Sequence, residues 1–171
     1  DLAGRLTKET DPQTRETTFT YDARGNLLTR AKPDGRTITY TYDTANRLTQ
    51  KQYPGGSVTQ YQYDLNGNLT YAGNATIAYT LSYDANNRLT GVTDSNNRAI
   101  QYQYDPAGNK TSVITPENRT ISYGYDNARR LTTITADSLT FTFGYDANSR
   151  RTSLAMPNGA AAAYTYDNNG N

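Results

Sequence analysis

The sequence predicts an all-β protein: a continuous antiparallel up-and-down sheet of tandem β-hairpin repeats of about 21 residues, curled into part of a hollow spiral shell. Three observations lead there. The dipeptide Tyr-Asp recurs at Tyr21, Tyr42, Tyr63, Tyr83, Tyr104, Tyr125, Tyr145 and Tyr166, in steps of 21, 21, 20, 21, 21, 20 and 21 residues. The chain of 171 residues holds only 24 Leu, Ile, Val and Phe, yet 16 Tyr and 28 Thr, which favour pleated, half-buried surfaces. Turn-forming residues fall midway between successive Tyr-Asp dipeptides.

The period divides into two strands and two turns. In the stretch from residue 27 to 42, Asp34-Gly35 reads as a two-residue hairpin turn, because both positions tolerate positive φ. Folding there places Lys32 opposite Thr37, Ala31 opposite Ile38 and Leu27 opposite Tyr42. Gly55-Gly56 likewise sets Leu48 opposite Tyr63. Asn96-Asn97 sets Leu89 opposite Tyr104, Glu117-Asn118 sets Lys110 opposite Tyr125, and Asn158-Gly159 sets Arg151 opposite Tyr166. The two 20-residue repeats call for a three-residue loop near Thr76 and Ser138, or a bulge. The second turn starts at the aspartate of each dipeptide: Asp22, Asp43, Asp64, Asp84, Asp105, Asp126, Asp146 and Asp167. A turn-initiating Asp can accept hydrogen bonds from backbone amides two residues on. The fourth turn residue is Gly25, Asn46, Gly67, Asn87, Gly108 or Gly170, all tolerant of left-handed angles, whereas Arg129 and Ser149 point to differently built turns.

In this register a belt crosses every strand. It runs through Tyr21, Leu27, Tyr42, Leu48, Tyr63, Leu69, Tyr83, Leu89 and Tyr104, then Lys110, Tyr125, Leu131, Tyr145, Arg151 and Tyr166. A second belt holds Phe19, Tyr40, Tyr61, Leu81, Tyr102, Tyr123, Phe143 and Tyr164. The other face carries Thr41, Thr49, Gln62, Thr70, Ser82, Thr90, Gln103 and Thr111. About 16 strands, each roughly 4.8 Å from the next, are too many for an open twisted sheet, which curls beyond about ten strands. A closed wall of that width would leave a lumen, and repetition without a built-in stop suggests a spiral. No linker interrupts the series, so residues 1–171 read as one array of about eight repeats, a fragment of a longer shell with no separate domain. "DLAGRL" at the start reads as a further copy, and neighbouring repeats would pair its edges.

The signature in "YDTANRLT", "YDLNGNLT" and "YDANNRLT" resembles the RHS/YD-repeat family over essentially the whole chain. That resemblance implies a hollow β-cage. In bacterial members it encloses a C-terminal polymorphic toxin before delivery; related shells occur in insecticidal toxin complexes and in the adhesive teneurins. It implies neighbouring repeats and the enclosed toxin domain as partners, with secretion-machinery proteins or surface glycans as further ones, and a secreted or exported location. "DPAG" at 105–108 resembles the opening of the family's shell-closing core motif but occupies an ordinary repeat slot, so self-cleavage is not transferred to Asp105.

Chemistry is sparsely equipped. The chain lacks His and Cys, which removes the usual nucleophile–base pairs and zinc ligands, and disulfides with them. Equivalent aspartates about two strand spacings apart, roughly 10 Å, suit neither glycosidase geometry. One dependable carboxylate per turn is too few for calcium, which takes six to eight oxygens. The expectation is a non-catalytic protein without cofactor or metal. A net charge of +1 gives no footprint for nucleic acid, and no apolar run is long enough for a membrane span. The aromatic belts read as wall packing. The alternative is an extracellular adhesin or carbohydrate-binding module using those aromatics. Arg129, Arg130, Arg150 and Arg151 read as a solvated rim, with Lys110 and Arg151 replacing leucine in the belt.

Overall fold

A computed structural model describes residues 1–167; Gly170, expected as a left-handed turn residue, lies outside the described residues. The protein is all-β and antiparallel, with no helix among the described residues. It falls into two compact units, residues 1–82 with 94–96, and residues 83–93 with those from 97 onward. The first contains β1 (Lys8–Thr10), β2 (Glu16–Tyr21), β3 (Leu27–Ala31), β4 (Thr37–Tyr42), β5 (Leu48–Gln52), β6 (Val58–Tyr63) and β7 (Leu69–Gly73), and most of β8 (Ala78–Tyr83). The second is built on β9 (Leu89–Asp94), β10 (Ala99–Tyr104), β11 (Lys110–Ile114), β12 (Thr120–Tyr125), β13 (Leu131–Ala136), β14 (Leu139–Tyr145), β15 (Arg151–Ala155) and β16 (Ala161–Ala163). Within each unit every strand pairs with its sequence neighbours, the up-and-down order that short connections dictate.

The mid-repeat turns differ from the two-residue hairpins that the dipeptides suggest. Lys32 N donates to Arg36 O (2.9 Å) and Gly35 N to Lys32 O (2.9 Å), which closes a three-residue loop of Pro33, Asp34 and Gly35. Pro33 supplies the fixed φ of the first turn position, and Gly35 takes the left-handed third position at φ 78. The loops at 54–56, 116–118 and 157–159 have the same closing bonds. The extra loop residue moves the register by one: Thr37 faces Ala31 rather than Lys32, and Ile38 faces Arg30 rather than Ala31. For the same reason Leu27 is not opposite Tyr42, Leu48 not opposite Tyr63, Leu89 not opposite Tyr104, Lys110 not opposite Tyr125, and Arg151 not opposite Tyr166. The 20-residue repeats reverse the expectation too. They have two-residue loops, Ala75-Thr76 between Asn74 and Ile77, and Asp137-Ser138 between the paired Ala136 and Leu139.

A bulge restores the pattern at the other end of each hairpin. Tyr21 faces Leu27 but Thr20 faces Thr29, so Leu28 is extra. The same shift recurs between Thr41 and Tyr42, Gln62 and Tyr63, Gln103 and Tyr104, Gly124 and Tyr125, and Gly144 and Tyr145. Without it, a one-residue slip would turn every following side chain to the wrong face. Thr49, Thr70 and Thr111 are therefore bulge residues rather than members of the polar face; Thr41 faces Gln50, Gln62 faces Tyr71 and Gln103 faces Ser112. Phe19 faces Arg30, Tyr40 faces Lys51, Tyr102 faces Val113, Tyr123 faces Ile134 and Phe143 faces Leu154.

No apolar side chain among the described residues is buried; the buried polar ones are Asp94 and Ser112. Neither unit has a core in the ordinary two-layer sense. Half-buried tyrosines and leucines packing strand to strand take its place, opposite rows of exposed Thr39, Thr41, Gln60, Gln62, Gln101 and Gln103.

Candidate functional site: the Tyr-Asp turns

Each Tyr-Asp turn is built by its aspartate. Asp43 Oδ1 accepts hydrogen bonds from Ala45 N and Arg47 N, both 2.9 Å, while Asp43 N donates to Arg47 O and Asn46 N to Asp43 O. The loop is again three residues long with a left-handed third position, Asn46 at φ 62. Gly25, Gly67, Gly108 and Asn87 hold that position in other copies. So do Arg129 at φ 62 and Ser149 at φ 63, whose turns close with the same bonds: the two residues that suggested a different construction adopt the common one, because the aspartate cap and closing pair fix it.

The residue four places after the aspartate uses the second carboxylate oxygen. Arg47 Nε donates to Asp43 Oδ2 at 2.7 Å, and Arg88, Arg130 and Arg150 do the same to Asp84, Asp126 and Asp146. In the other copies a carboxamide substitutes: Asn26, Asn68 and Asn109 donate Nδ2 to Asp22, Asp64 and Asp105. The arginines then reach onward. Arg47 Nη1 donates to the backbone oxygen of Asp64 at 3.0 Å, and its guanidinium carbon lies 4.8 Å from the Tyr63 ring centre. Arg5 repeats this on Asp22 and Tyr21, Arg88 on Asp105 and Tyr104, Arg130 on Asp146 and Tyr145, and Arg150 on Asp167 and Tyr166. Each such arginine joins its own turn to the next by two charge-assisted bonds and a ring contact. Arg130 and Arg150 are thus connectors rather than a solvated rim, Arg129 is an exposed loop residue, and Arg151 lies over the Tyr164 ring at 4.9 Å. Lys110 sits between the Tyr102 and Tyr123 rings.

The tyrosine completes the unit. Tyr42 OH donates to Leu27 O at 3.1 Å, Tyr63 OH to Leu48 O at 2.9 Å, and Tyr104 OH to Leu89 O at 2.9 Å. Tyr21, Tyr125, Tyr145 and Tyr166 donate to Leu6, Lys110, Leu131 and Arg151. The β3–β4 pairing extends only to Thr29 and Thr39, so Leu27 lies past the end of that ladder. The phenol crosses the gap and satisfies a carbonyl that the ladder does not reach. Tyr83 and Leu69 hold the equivalent positions in β8 and β7. The hydroxyl's role has a sequence signal: the dipeptide position is Tyr in all eight copies, whereas the belt two residues earlier admits Phe19, Leu81 and Phe143.

Electrostatics follows the bonding. Asn26 donation, with backbone amides, holds the Asp22 carboxyl below its ordinary range, and Asp64 and Asp105 are lowered in the same way. Backbone donation from Arg47, then its side chain, lowers Asp43; Asp84, Asp126 and Asp146 follow suit with their arginines. Desolvation raises Tyr42, Tyr63 and Tyr125. The carboxylates are ionised and engaged in turn bonds, and no group of three or more metal-ligating acidic side chains occurs among the described residues.

A run of near-identical hairpins, tied at the Tyr-Asp end by an aspartate, a tyrosine hydroxyl and an arginine or asparagine, defines a tandem β-hairpin repeat protein. The chain belongs to the RHS repeat family, whose model matches residues 1–37, 25–58, 42–76 and 83–120. Solved structures similar to it include a TcdB2–TccC3–Cdc42 crystal structure, at 20% identity and a TM-score of 0.72 over 90% of this chain and 10% of that one. TcdB2–TccC3 without its hypervariable C-terminal region matches at 21% identity and 0.72 over 91% and 10%. A Tc holotoxin pore from Photorhabdus luminescens carrying a TccC3 mutation matches at 20% and 0.71 over 90% and 10%. These likenesses show the fold, and the chain spans about 10% of those chains' length. No curated protein matches the sequence.

Proposed function

We propose that this array is a stretch of wall in an RHS-type cage, a non-catalytic partition that encloses a C-terminal toxin or effector of the longer protein before export and delivery. The observation that carries the reading is equivalence: the turn bonds of Asp22, Asp43, Asp84, Asp105, Asp126 and Asp146 repeat with the same partners. A wall needs many like joints, whereas catalysis needs one distinct site. The structural likeness to Tc toxin shells supports it, and neighbouring repeats are the first partners in this reading. The test is limited proteolysis of the full-length protein. The segment after the array should resist protease while the array is intact, and lose protection when Arg47, Arg88 and Arg130 are replaced together by alanine. Equal digestion of that segment in both proteins would remove the container role.

A further inference from the structure

The rim holds two kinds of slot between successive Tyr-Asp turns. Where the residue four after the aspartate is arginine, its guanidinium fills the slot, stacked on the next tyrosine and bonded to the next aspartate's carbonyl, as Arg47 does on Tyr63 and Asp64. That carbonyl then accepts two hydrogen bonds: Asp64 O takes Gly67 N and Arg47 Nη1, and Asp105 O takes Gly108 N and Arg88 Nη1. Asn26 Nδ2 reaches onward only to Asn46 Oδ1, at 3.0 Å, and neither Asn26 nor Asn109 bonds the next aspartate's carbonyl. Asp43 O and Asp126 O therefore accept only the turn amides of Asn46 and Arg129, and no cation of this chain lies over Tyr42 or Tyr125 among the described residues. At the first of these slots the surface is concave, lined by Asp22, Asn26, Leu28, Tyr42, Asp43 and Asn46. Arg24 also lines it, its guanidinium turned to Thr44 O and Asn46 Oδ1 rather than to Asp43 O; at the second slot the corresponding residue is Ala107.

We propose that the slots beside Tyr42 and Tyr125 bind the guanidinium group of an arginine side chain carried by another polypeptide. The filled slots on the same rim show what the site takes: a planar cation that stacks on a phenol face while donating to a backbone carbonyl and a carboxylate oxygen. Asp22 Oδ2 and Asp105 Oδ2 each accept one carboxamide bond and keep room for a second. A planar fork suits this geometry and a point-like ammonium does not.

The probe is Nα-acetyl-arginine amide, with Nα-acetyl-lysine amide as comparison, titrated into the isotope-labelled 171-residue chain. Saturable NMR shifts are expected at the Tyr42 and Tyr125 rings and the Asp43 and Asp126 carbonyls with the arginine compound, and much weaker ones with lysine. Asn26→Arg should abolish the response at Tyr42 and leave that at Tyr125; Asn109→Arg should do the converse, each unaffected slot reporting that the variant is folded. A peptide with one arginine should reproduce the shifts, which separates a polypeptide ligand from the free amino acid. No response, equal response to both amides, or an undiminished response in the filled variants overturns the proposal.

Discussion

At the residue scale, the left-handed turn position separates backbone cost from contact energy. Arg129 and Ser149 pay for positive φ that Gly25, Gly67 and Gly108 adopt freely. The left-handed conformation costs an L-residue about 1–2 kcal/mol, and glycine's extra chain entropy returns about half of that. Arg129→Gly and Ser149→Gly should each stabilise by about 0.5 kcal/mol in urea melts. Tyr104→Phe keeps the ring but strands the Leu89 carbonyl, at about 1 kcal/mol. The two aspartate classes should separate as well. Asp105→Asn is tolerable because Asn109 can turn its carboxamide to offer an oxygen; Asp84→Asn sets a carboxamide donor against the Arg88 guanidinium, which has no acceptor to offer. Thermal melts should therefore rank Asp84→Asn as clearly more damaging than Asp105→Asn, and the reverse order would remove the arginine connector from the account.

At the element scale, the loop and the bulge have different tolerances. Pro157 lies in a three-residue loop that Asn158-Gly159 could close by itself, as Asp137-Ser138 does in the 20-residue repeat. Deleting Pro157 should leave a folded chain. Deleting Thr152, the extra residue between Arg151 and Ser153, keeps Ser153 opposite Gly144 and Leu154 opposite Phe143, so the faces are retained; it removes the local bend and twist of the bulge and should lower the thermal midpoint of a chain that still folds. The period, the antiparallel order and the pairing of each dipeptide tyrosine with the residue after the turn were legible from Tyr21, Tyr42 and their successors, since spacing alone sets them. The mid-repeat register was not. Asp34-Gly35 serves a two-residue turn and the end of a three-residue loop equally well, and Pro33, which favours the latter, was the available clue. The bulge left no mark, because Leu28, Thr49 and Thr111 are ordinary strand residues. The arginine connector was half legible: the alternation of Arg and Asn was visible, but its reach across a turn depends on where the neighbouring strand lies.

At the scale of the whole molecule, acid should act on many joints together. The folded-state carboxyls of Asp22, Asp43, Asp64, Asp84, Asp105, Asp126 and Asp146 titrate below their unfolded values. Their contribution to stability is complete above the unfolded value of about 3.9 and is lost as pH falls through the depressed folded values. Circular dichroism should show an intact sheet at mildly acidic pH and a loss confined to strongly acid solution, steepened by the number of aspartates that protonate. Unfolding near neutrality would contradict this. No apolar side chain among the described residues is buried, and this has a mechanical consequence: within each unit a strand depends on the strands that flank it and on nothing distant. Such a chain behaves as a one-dimensional lattice, in which cohesion grows with the number of joints and failure starts at the ends, like a zip opening. A break in the middle would cost two new ends, so the length of the array acts as a dose of durability.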